Sequence, residues 1–411
     1  MEWLIREGGN PEKIANYDCI GTVRQPGSVN YVLGICSIIY AIAAEFIYSV
    51  VLAIMMRKQH RRLSCYKIMI VLDNVDVAFS NFAMEWLIKA GGNPEDVPNY
   101  SCGQTERKRG SVNYAVGACF ITYGIVAELI YTVVLTVMIR KQHRRLSCYK
   151  IMIALGIYDM CAISLNSLLT GYFWIVGANY CATPTLMFVS GAIALGLWCG
   201  ACMNCFVLVV NRLLDLWNKE YMEMLFNNNR TYVVLLLPLA YCLYFTFFTP
   251  PLLFSSDHTA WFFAPFMADH NIDEYFNFPH TANNLFIVVV TCLLYVQYSR
   301  VLLRHSKTSS GLSWAQKSCF IQSAAICMAN LIAALIYVYM QFFPTPSYFV
   351  MIGHVCWQLG HGFPAFVYLF LNRTIRREAF ALLGLGRFVH KGKSVGVTVT
   401  SRVVPVSITT A

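Results

Sequence analysis

Residues 114–145 read YAVGACFITYGIVAELIYTVVLTVMIRKQHRR, and this stretch decides the class of fold. Its apolar part, residues 114–139, contains one acidic residue, Glu128, and no basic residue. As a helix rising about 1.5 Å per residue, this part is longer than the roughly 30 Å hydrocarbon core of a bilayer. A cluster of basic residues follows from Arg140 to Arg145, as is typical of the cytoplasmic end of a membrane helix. The stretch therefore predicts a membrane-spanning helix.

The composition of the whole chain agrees with this prediction. Hydrophobic residues make up 57% of the 411 residues and charged residues only 13%, whereas soluble domains contain about 25% charged residues. The net charge of +10 could indicate nucleic-acid binding, but the Lys and Arg residues lie in short clusters between apolar blocks. We therefore expect membrane lipids, and no nucleic acid, among the partners.

Six further apolar blocks follow the first, at residues 149–175, 186–210, 232–254, 284–303, 318–343 and 348–371. Because backbone groups in lipid must be satisfied within the segment, each block is expected to be a helix. The predicted fold is all-α: an integral membrane bundle of seven transmembrane helices, called spans one to seven, at residues 114–371. We expect residues 84–113 to be an extracellular segment and residues 372–411 to be a cytoplasmic tail with a short amphipathic helix.

The positions of the basic residues predict the orientation of the bundle. Lys and Arg occur after spans one, three, five and seven, and the connections after spans two, four and six contain neither. Arg107, Lys108 and Arg109, ahead of span one, oppose this bias. Since positive residues are retained in the cytoplasm, the core is expected to have its N-terminus outside and its C-terminus inside, in the plasma membrane.

The front of the chain is a repeat, since residues 1–70 recur at 84–153. The run RKQHRRLSCYKIMI, for example, occupies both Arg57 to Ile70 and Arg140 to Ile153. Two copies are too few for a solenoid. Residues 1–83 are thus expected to be a partial duplicate of the first-helix module, an extra transmembrane segment arising from a tandem duplication or gene fusion, with a genuine additional module as the alternative. Residues 84–411 are the unit to interpret.

Short motifs recur in a fixed order along the seven spans. They are SCYKIM at Ser147 to Met152, Asp159 in span two, Asn211-Arg212 closing span three, Thr249-Pro250-Pro251 ending span four, Tyr337 to Phe343, and the stretch from Gly362-Phe363-Pro364 to Arg376. In this order they resemble the nematode serpentine receptor class T family, which are chemoreceptors similar to G-protein-coupled receptors. The resemblance implies a small extracellular ligand, a heterotrimeric G protein as partner and expression in sensory neurons. It also implies that Arg212, Arg376 and Arg377 face the G protein, although Arg212 could equally be a positive-inside anchor.

Two ionisable residues lie within spans, Asp159 and Glu128. Such groups normally face the interior of the bundle and mark function, so we expect them to form an intramembrane switch. The alternative is a neutral carboxyl group that hydrogen-bonds a neighbour such as Asn166 or Asn204.

Two cysteines of the core are expected outside, Cys102 and Cys181, and a disulfide between them is predicted. Cys19, in the first copy of the repeat, is a competing partner. Asn99 begins the sequence Asn-Tyr-Ser on the same side, so it is a candidate for glycosylation.

The candidate ligand pocket involves span seven and the predicted outer loop 255–283. His354, Trp357, Gln358 and His361 recur at three- and four-residue spacing and therefore share one helix face. The loop is aromatic and acidic and includes Trp261, so it could cover a pocket or instead form an interfacial aromatic belt. A metal site or proton relay at the histidines is disfavoured, because span seven contains no carboxylate.

These patterns favour a receptor over other functions. A transporter or channel would show inverted symmetry and several midplane charges, so it remains an alternative, together with a non-functional fusion product. We find no catalytic constellation and no cofactor or metal motif, and therefore expect that the protein is not an enzyme.

Overall fold

The computed structural model describes residues 87–97, 99–103, 107–267, 270, 275–306, 314–343 and 345–385. All of them belong to one compact unit, Ile70–Ala411. The predicted duplicate at residues 1–83 lies outside the described residues, and so does Cys19.

The described part of the chain is a bundle of long helices, which confirms the predicted all-α fold. Spans one to seven are Tyr114–Met138, Ser147–Val176, Pro184–Trp217, Arg230–Phe248, Phe278–Ser306, Trp314–Phe342 and Ser347–Leu371. Span two is α-helical at Ser147–Ile163 and Thr170–Val176, with a π-helical turn at Ser164–Leu169 between them.

Span seven differs from the other six spans in its polarity. Within the described residues, spans one to six are long and apolar enough to cross a membrane by composition alone. Span seven has sufficient length, at 25 residues, but it contains His354, Gln358 and His361. All three side chains are buried. A spanning helix tolerates such groups when they face protein instead of lipid.

Span three lies at the centre of the bundle and has the largest buried share of the spans named above. It packs against spans two, four, five and six, while span seven packs against spans one, two and six. Large apolar side chains such as Leu129, Leu236 and Val289 remain exposed on the outer faces, as expected for helices solvated by lipid.

The connection between spans four and five differs from the prediction at both ends. Span four ends at Phe248 instead of residue 254, since Pro250 and Pro251 cannot continue a helix. The next residues form a hairpin of two antiparallel strands, β1 (Leu253–Ser255) and β2 (Ala260–Phe262), with Phe254 opposite Trp261. Span five begins at Phe278, so residues 278–283 belong to a helix and not to the loop.

A glycine allows this hairpin to lie close against span three. A Cβ atom placed on Gly191 would lie 1.6 Å from the carbonyl oxygen of Leu252, which no side chain could accommodate. The sequence of span three therefore determines where the hairpin begins.

Three short helices lie at the opposite end of the bundle: Lys141–Arg144, Lys219–Phe226 and Arg373–Leu382. The last is amphipathic, with Ile375 and Ala379 buried and Arg377 exposed. Its Glu378 accepts hydrogen bonds from Arg140 (2.9 Å) and Gln142 (2.9 Å). We call this end of the bundle the basic end, and the end that contains Cys102 and Cys181 the disulfide end.

Candidate functional site

A cavity of about 250 Å³ lies beneath the hairpin, among spans three, five, six and seven. Its walls are mainly aromatic and include Trp198, Trp261, Phe263, His280, Tyr337 and Trp357. Two of the predicted pocket residues, Trp261 and Trp357, therefore line it. Phe262, Phe266, Tyr275 and Phe276, from the same predicted loop, also contribute to the walls.

The hairpin covers the cavity and is held by aromatic contacts and by hydrogen bonds. The Trp261 indole N–H donates to Thr170 Oγ1 in span two at 2.9 Å. The ring of Phe254 stacks on that of Phe173, with centroids 5.6 Å apart, and meets Trp261 edge to face. The aromatic residues of this segment thus pack largely into the protein, as a lid would.

Asp257, in the turn of the hairpin, fastens the lid to the loop before span one. One carboxylate oxygen accepts from the Ser111 N–H and hydroxyl, each at 2.8 Å, and the other accepts from Asn179 Nδ2 at 2.8 Å. Partial desolvation would raise the pKa of Asp257, but these hydrogen bonds to the charged form outweigh it, and the pKa lies below its usual value.

A disulfide joins Cys102 to Cys181, with the Cα atoms 5.7 Å apart. Beside it, the Tyr180 hydroxyl donates to the Tyr100 carbonyl at 3.0 Å. The ring of Tyr100 packs edge to face on Phe188 of span three, with centroids 5.1 Å apart. Asn99 is exposed at this end of the bundle. The segment before span one is thereby fixed over the start of span three.

A buried polar cluster lies among spans one, two and seven. His361 Nδ1 and Asp159 Oδ1 are 2.8 Å apart, and the Tyr131 hydroxyl donates to Asp159 Oδ2 at 2.5 Å. The same hydroxyl lies 3.1 Å from the His361 carbonyl oxygen. The three side chains are almost fully buried, so each hydrogen bond is made away from solvent. We call Tyr131, Asp159 and His361 the polar cluster.

Span seven makes two more hydrogen bonds to the π-helical turn of span two. His354 Nε2 lies 3.2 Å from the carbonyl oxygen of Asn166, and this nitrogen must be the donor because a carbonyl only accepts. Gln358 Nε2 donates to Ser167 Oγ at 2.8 Å. A π-helical turn disturbs the regular hydrogen-bond ladder of a helix. Here one backbone carbonyl of the turn, that of Asn166, accepts a hydrogen bond from His354 of span seven.

The four predicted pocket residues of span seven therefore have different surroundings. Trp357 lines the cavity, whereas His354, Gln358 and His361 contact span two. Span seven itself contains no carboxyl group, but Asp159 of span two supplies one beside His361. Tyr131 was missed, because nothing in the sequence distinguishes it from the other tyrosines of the spans.

Glu128, predicted to form an intramembrane switch together with Asp159, lies apart from the polar cluster. Its side chain is half-buried, and its Oε1 accepts from Ser164 Oγ at 3.3 Å. Its neighbours Ile125 and Leu129 are 49% and 63% exposed. Glu128 therefore lies at the outer edge between spans one and two.

The three arginines predicted to face a partner all lie toward the basic end. Arg212 is half-buried near the end of span three, with Nη2 3.8 Å from the sulfur of Met152. Arg376 donates to the Phe370 carbonyl at 3.0 Å, and Arg377 is exposed. This surface can present positive charge to a partner.

Comparison with known proteins agrees with this architecture. A family model described as "Serpentine type 7TM GPCR chemoreceptor Srt" matches residues 7–83 and 91–391. Serpentine receptor class T-55 of Caenorhabditis elegans is 30% identical over 284 residues, which cover 67% of this chain and 77% of that protein. The family consists of chemoreceptors and not of enzymes. The chain is thus a multi-pass membrane protein, and it belongs to the Srt family of serpentine seven-transmembrane chemoreceptors.

Proposed function

We propose that the cavity binds a small extracellular ligand, and that binding shifts the bundle so that the basic end engages a heterotrimeric G protein. The observation that carries this proposal is the double role of span seven. Trp357 lines the cavity, while His354 and His361, one turn to either side, contact span two. A ligand that displaces Trp357 would therefore strain the hydrogen bonds to Asn166 and Asp159. A ligand shifts a conformational equilibrium only through such differential contacts.

The proposal includes an orientation. The disulfide end lies outside, where disulfides persist, and Asn99 is glycosylated there. The basic end lies in the cytoplasm, where positive clusters are retained. In this orientation the polar cluster is the intramembrane switch, and Arg212, Arg376 and Arg377 face the G protein. We place the receptor in the plasma membrane of sensory neurons.

Filling the cavity tests whether it is the ligand site. The full chain is expressed in sensory neurons, activating chemicals are found by calcium imaging, and each is retested on Ala264→Trp, which adds an indole to the cavity wall. We expect responses to fall at least about tenfold. Leu236→Trp, on the exposed face of span four, is the matched control and should respond normally at equal surface level.

Two outcomes would contradict the proposal. Unchanged responses in Ala264→Trp would remove the cavity as the ligand site, and responses that persist without any G protein would remove the signalling mechanism. Expressing residues 84–411 in parallel with the full chain also shows whether residues 1–83 impair the receptor. If the full chain is a non-functional fusion product, only the shorter chain should respond.

A further inference from the structure

A chain of hydrogen bonds beside the cavity fixes the protonation of His280. The Trp198 indole nitrogen lies 3.1 Å from Asn284 Oδ1. Because an indole N–H can only donate, the atom that faces it must be the amide oxygen of Asn284. Asn283 Nδ2 donates to the same oxygen at 3.1 Å. The amide group of Asn284 therefore has one possible orientation.

The other end of the same amide faces His280. Asn284 Nδ2 lies 3.1 Å from His280 Nε2. Since the amide nitrogen is a donor, Nε2 must accept and carries no proton. A neutral imidazole then has its proton on Nδ1, and a doubly protonated ring would place two donors against each other. His280 is therefore a neutral residue with an N–H group at Nδ1.

Two buried N–H groups, on residues that line the cavity, have no acceptor among the described residues. They are the Nδ1–H of His280 and the Nε1–H of Trp357. Their side chains are only 5% and 3% exposed, and both line the cavity. Buried donors are nearly always satisfied, because an unpaired one loses its hydrogen bond to water without replacement.

The rest of the wall limits the charge and the size of an occupant. Among the described residues that line the cavity, none is Asp, Glu, Lys or Arg. A charged molecule would therefore lose its hydration without a counter-charge. The volume of about 250 Å³ is below the roughly 300–1,000 Å³ typical of pockets for drug-sized ligands.

We infer that the cavity takes a small, uncharged, mainly apolar molecule that carries a hydrogen-bond acceptor, such as the oxygen of a ketone, aldehyde, ester or ether. The acceptor oxygen receives a hydrogen bond from His280 Nδ1 or Trp357 Nε1, and the hydrocarbon part packs against the aromatic walls. This inference rests on the proposed function, since it takes the cavity to be the ligand site.

Matched pairs of probes test the acceptor. The purified full chain in lipid nanodiscs is titrated with acetophenone and with α-methylstyrene, in which a methylene group replaces the carbonyl oxygen. 2-Heptanone and 2-methyl-1-heptene form an aliphatic pair, and 1-phenylethylamine is the cationic probe. Quenching of tryptophan fluorescence reports binding, because three tryptophans line the cavity. We expect a ketone to bind at least about tenfold more tightly than its methylene counterpart, and the ammonium ion to bind more weakly than either.

Variants identify the donors. Trp357→Phe retains an aromatic ring and His280→Leu retains a similar volume, but each removes one N–H group. We expect each variant to lower the ratio of the affinity for a ketone to that for its methylene counterpart. The double variant should bind both probes equally. Trp217→Phe, at the basic end of span three, is the control and should leave the preference unchanged.

Equal binding of ketone and methylene probes, or tighter binding of the ammonium ion, would overturn the inference and leave the receptor mechanism intact. Failure of both ketones to bind would also overturn it. The proposed function fails separately, if Ala264→Trp responds to activating chemicals as the unmodified chain does or if responses persist without any G protein.

Discussion

The cavity and the polar cluster are neighbouring buried regions in which hydrogen bonding follows different patterns. Trp198 belongs to the cavity wall, and its ring also meets His361 of the cluster edge to face, with centroids 5.8 Å apart. In the cluster, both carboxyl oxygens of Asp159 have partners from other spans, and only His361 Nε2 has no partner among the described residues. In the cavity wall, two N–H groups have no acceptor among the described residues.

This difference indicates separate roles for the two regions. A buried polar network with its carboxyl group fully paired holds helices in a defined arrangement, and losing one member is costly. A wall with spare donors and an aromatic lining can gain a hydrogen bond from a molecule that enters. The cluster is thus suited to join spans one, two and seven, and the cavity is suited to exchange a ligand.

The largest expected effect comes from breaking the cluster. Asp159→Ala leaves Tyr131 and His361 without their shared partner and should destabilise the protein by about 1–3 kcal/mol for each buried group left unpaired. Thermal unfolding of the detergent-solubilised protein measures the loss. Asp159→Asn retains an acceptor oxygen and should lose less.

Glu128→Ala is the matched control for this comparison, because it also removes a carboxyl group from a span. The one described hydrogen bond of its side chain, from Ser164 Oγ at 3.3 Å, lies at the lipid-facing edge. We expect a loss below about 1 kcal/mol, typical of a single hydrogen bond. Equal losses for Asp159→Ala and Glu128→Ala would show that the cluster does not join the spans.

The fold was predictable because hydropathy is a local property of the chain. Each apolar block predicted a helix without knowledge of its neighbours. The boundaries were less accurate: span four ends early, before Pro250, and spans three and five are longer than their apolar blocks. Span seven shows the limit of this signal. Its polar residues lower its hydropathy, and only the packing against span two explains why they are tolerated.

A smaller effect is expected from disturbing the lid alone. In Gly191→Ala the added methyl group meets the Leu252 carbonyl, so the hairpin must move, and we expect a cost of about 1–3 kcal/mol, as for other overpacked sites. The affinity for ligand should also fall, because the hairpin covers the cavity. Binding and thermal unfolding of the same preparation measure both effects.

Gly353→Ala is a matched substitution in span seven. There the added methyl group meets Ile336 Cγ2 at 3.0 Å and the sulfur of Met340 at 3.2 Å, and both belong to flexible side chains. This variant should lose less stability than Gly191→Ala. If the two variants lose the same, the close approach of the hairpin to span three does not position the lid.

The candidate site was predicted less completely than the fold, since its contacts join distant parts of the sequence. Spacing placed His354, Trp357, Gln358 and His361 on one face of span seven, which is a local property. Whether that face meets a cavity or another helix depends on the partner elements. The assignment of Trp357 to the cavity and of His361 to Asp159 therefore required the structure.

The smallest expected effect concerns the attachment of the lid at Asp257. The folded-state pKa of this carboxyl lies below its unfolded value, so its contribution is present above about pH 4 and is lost as the pH falls through the folded-state pKa. Hydrogen-exchange rates of the hairpin amides are measured at each pH for the wild type and for Asp257→Asn. The ratio of the two rates is compared across pH, because the intrinsic pH dependence of exchange cancels in it. We expect the wild-type hairpin to be better protected at pH 6 and the two to converge below pH 4. A ratio that does not change with pH would mean that the hairpin is held by its uncharged contacts, such as those of Trp261 and Phe254, and that the lid stays closed independently of the charge of Asp257.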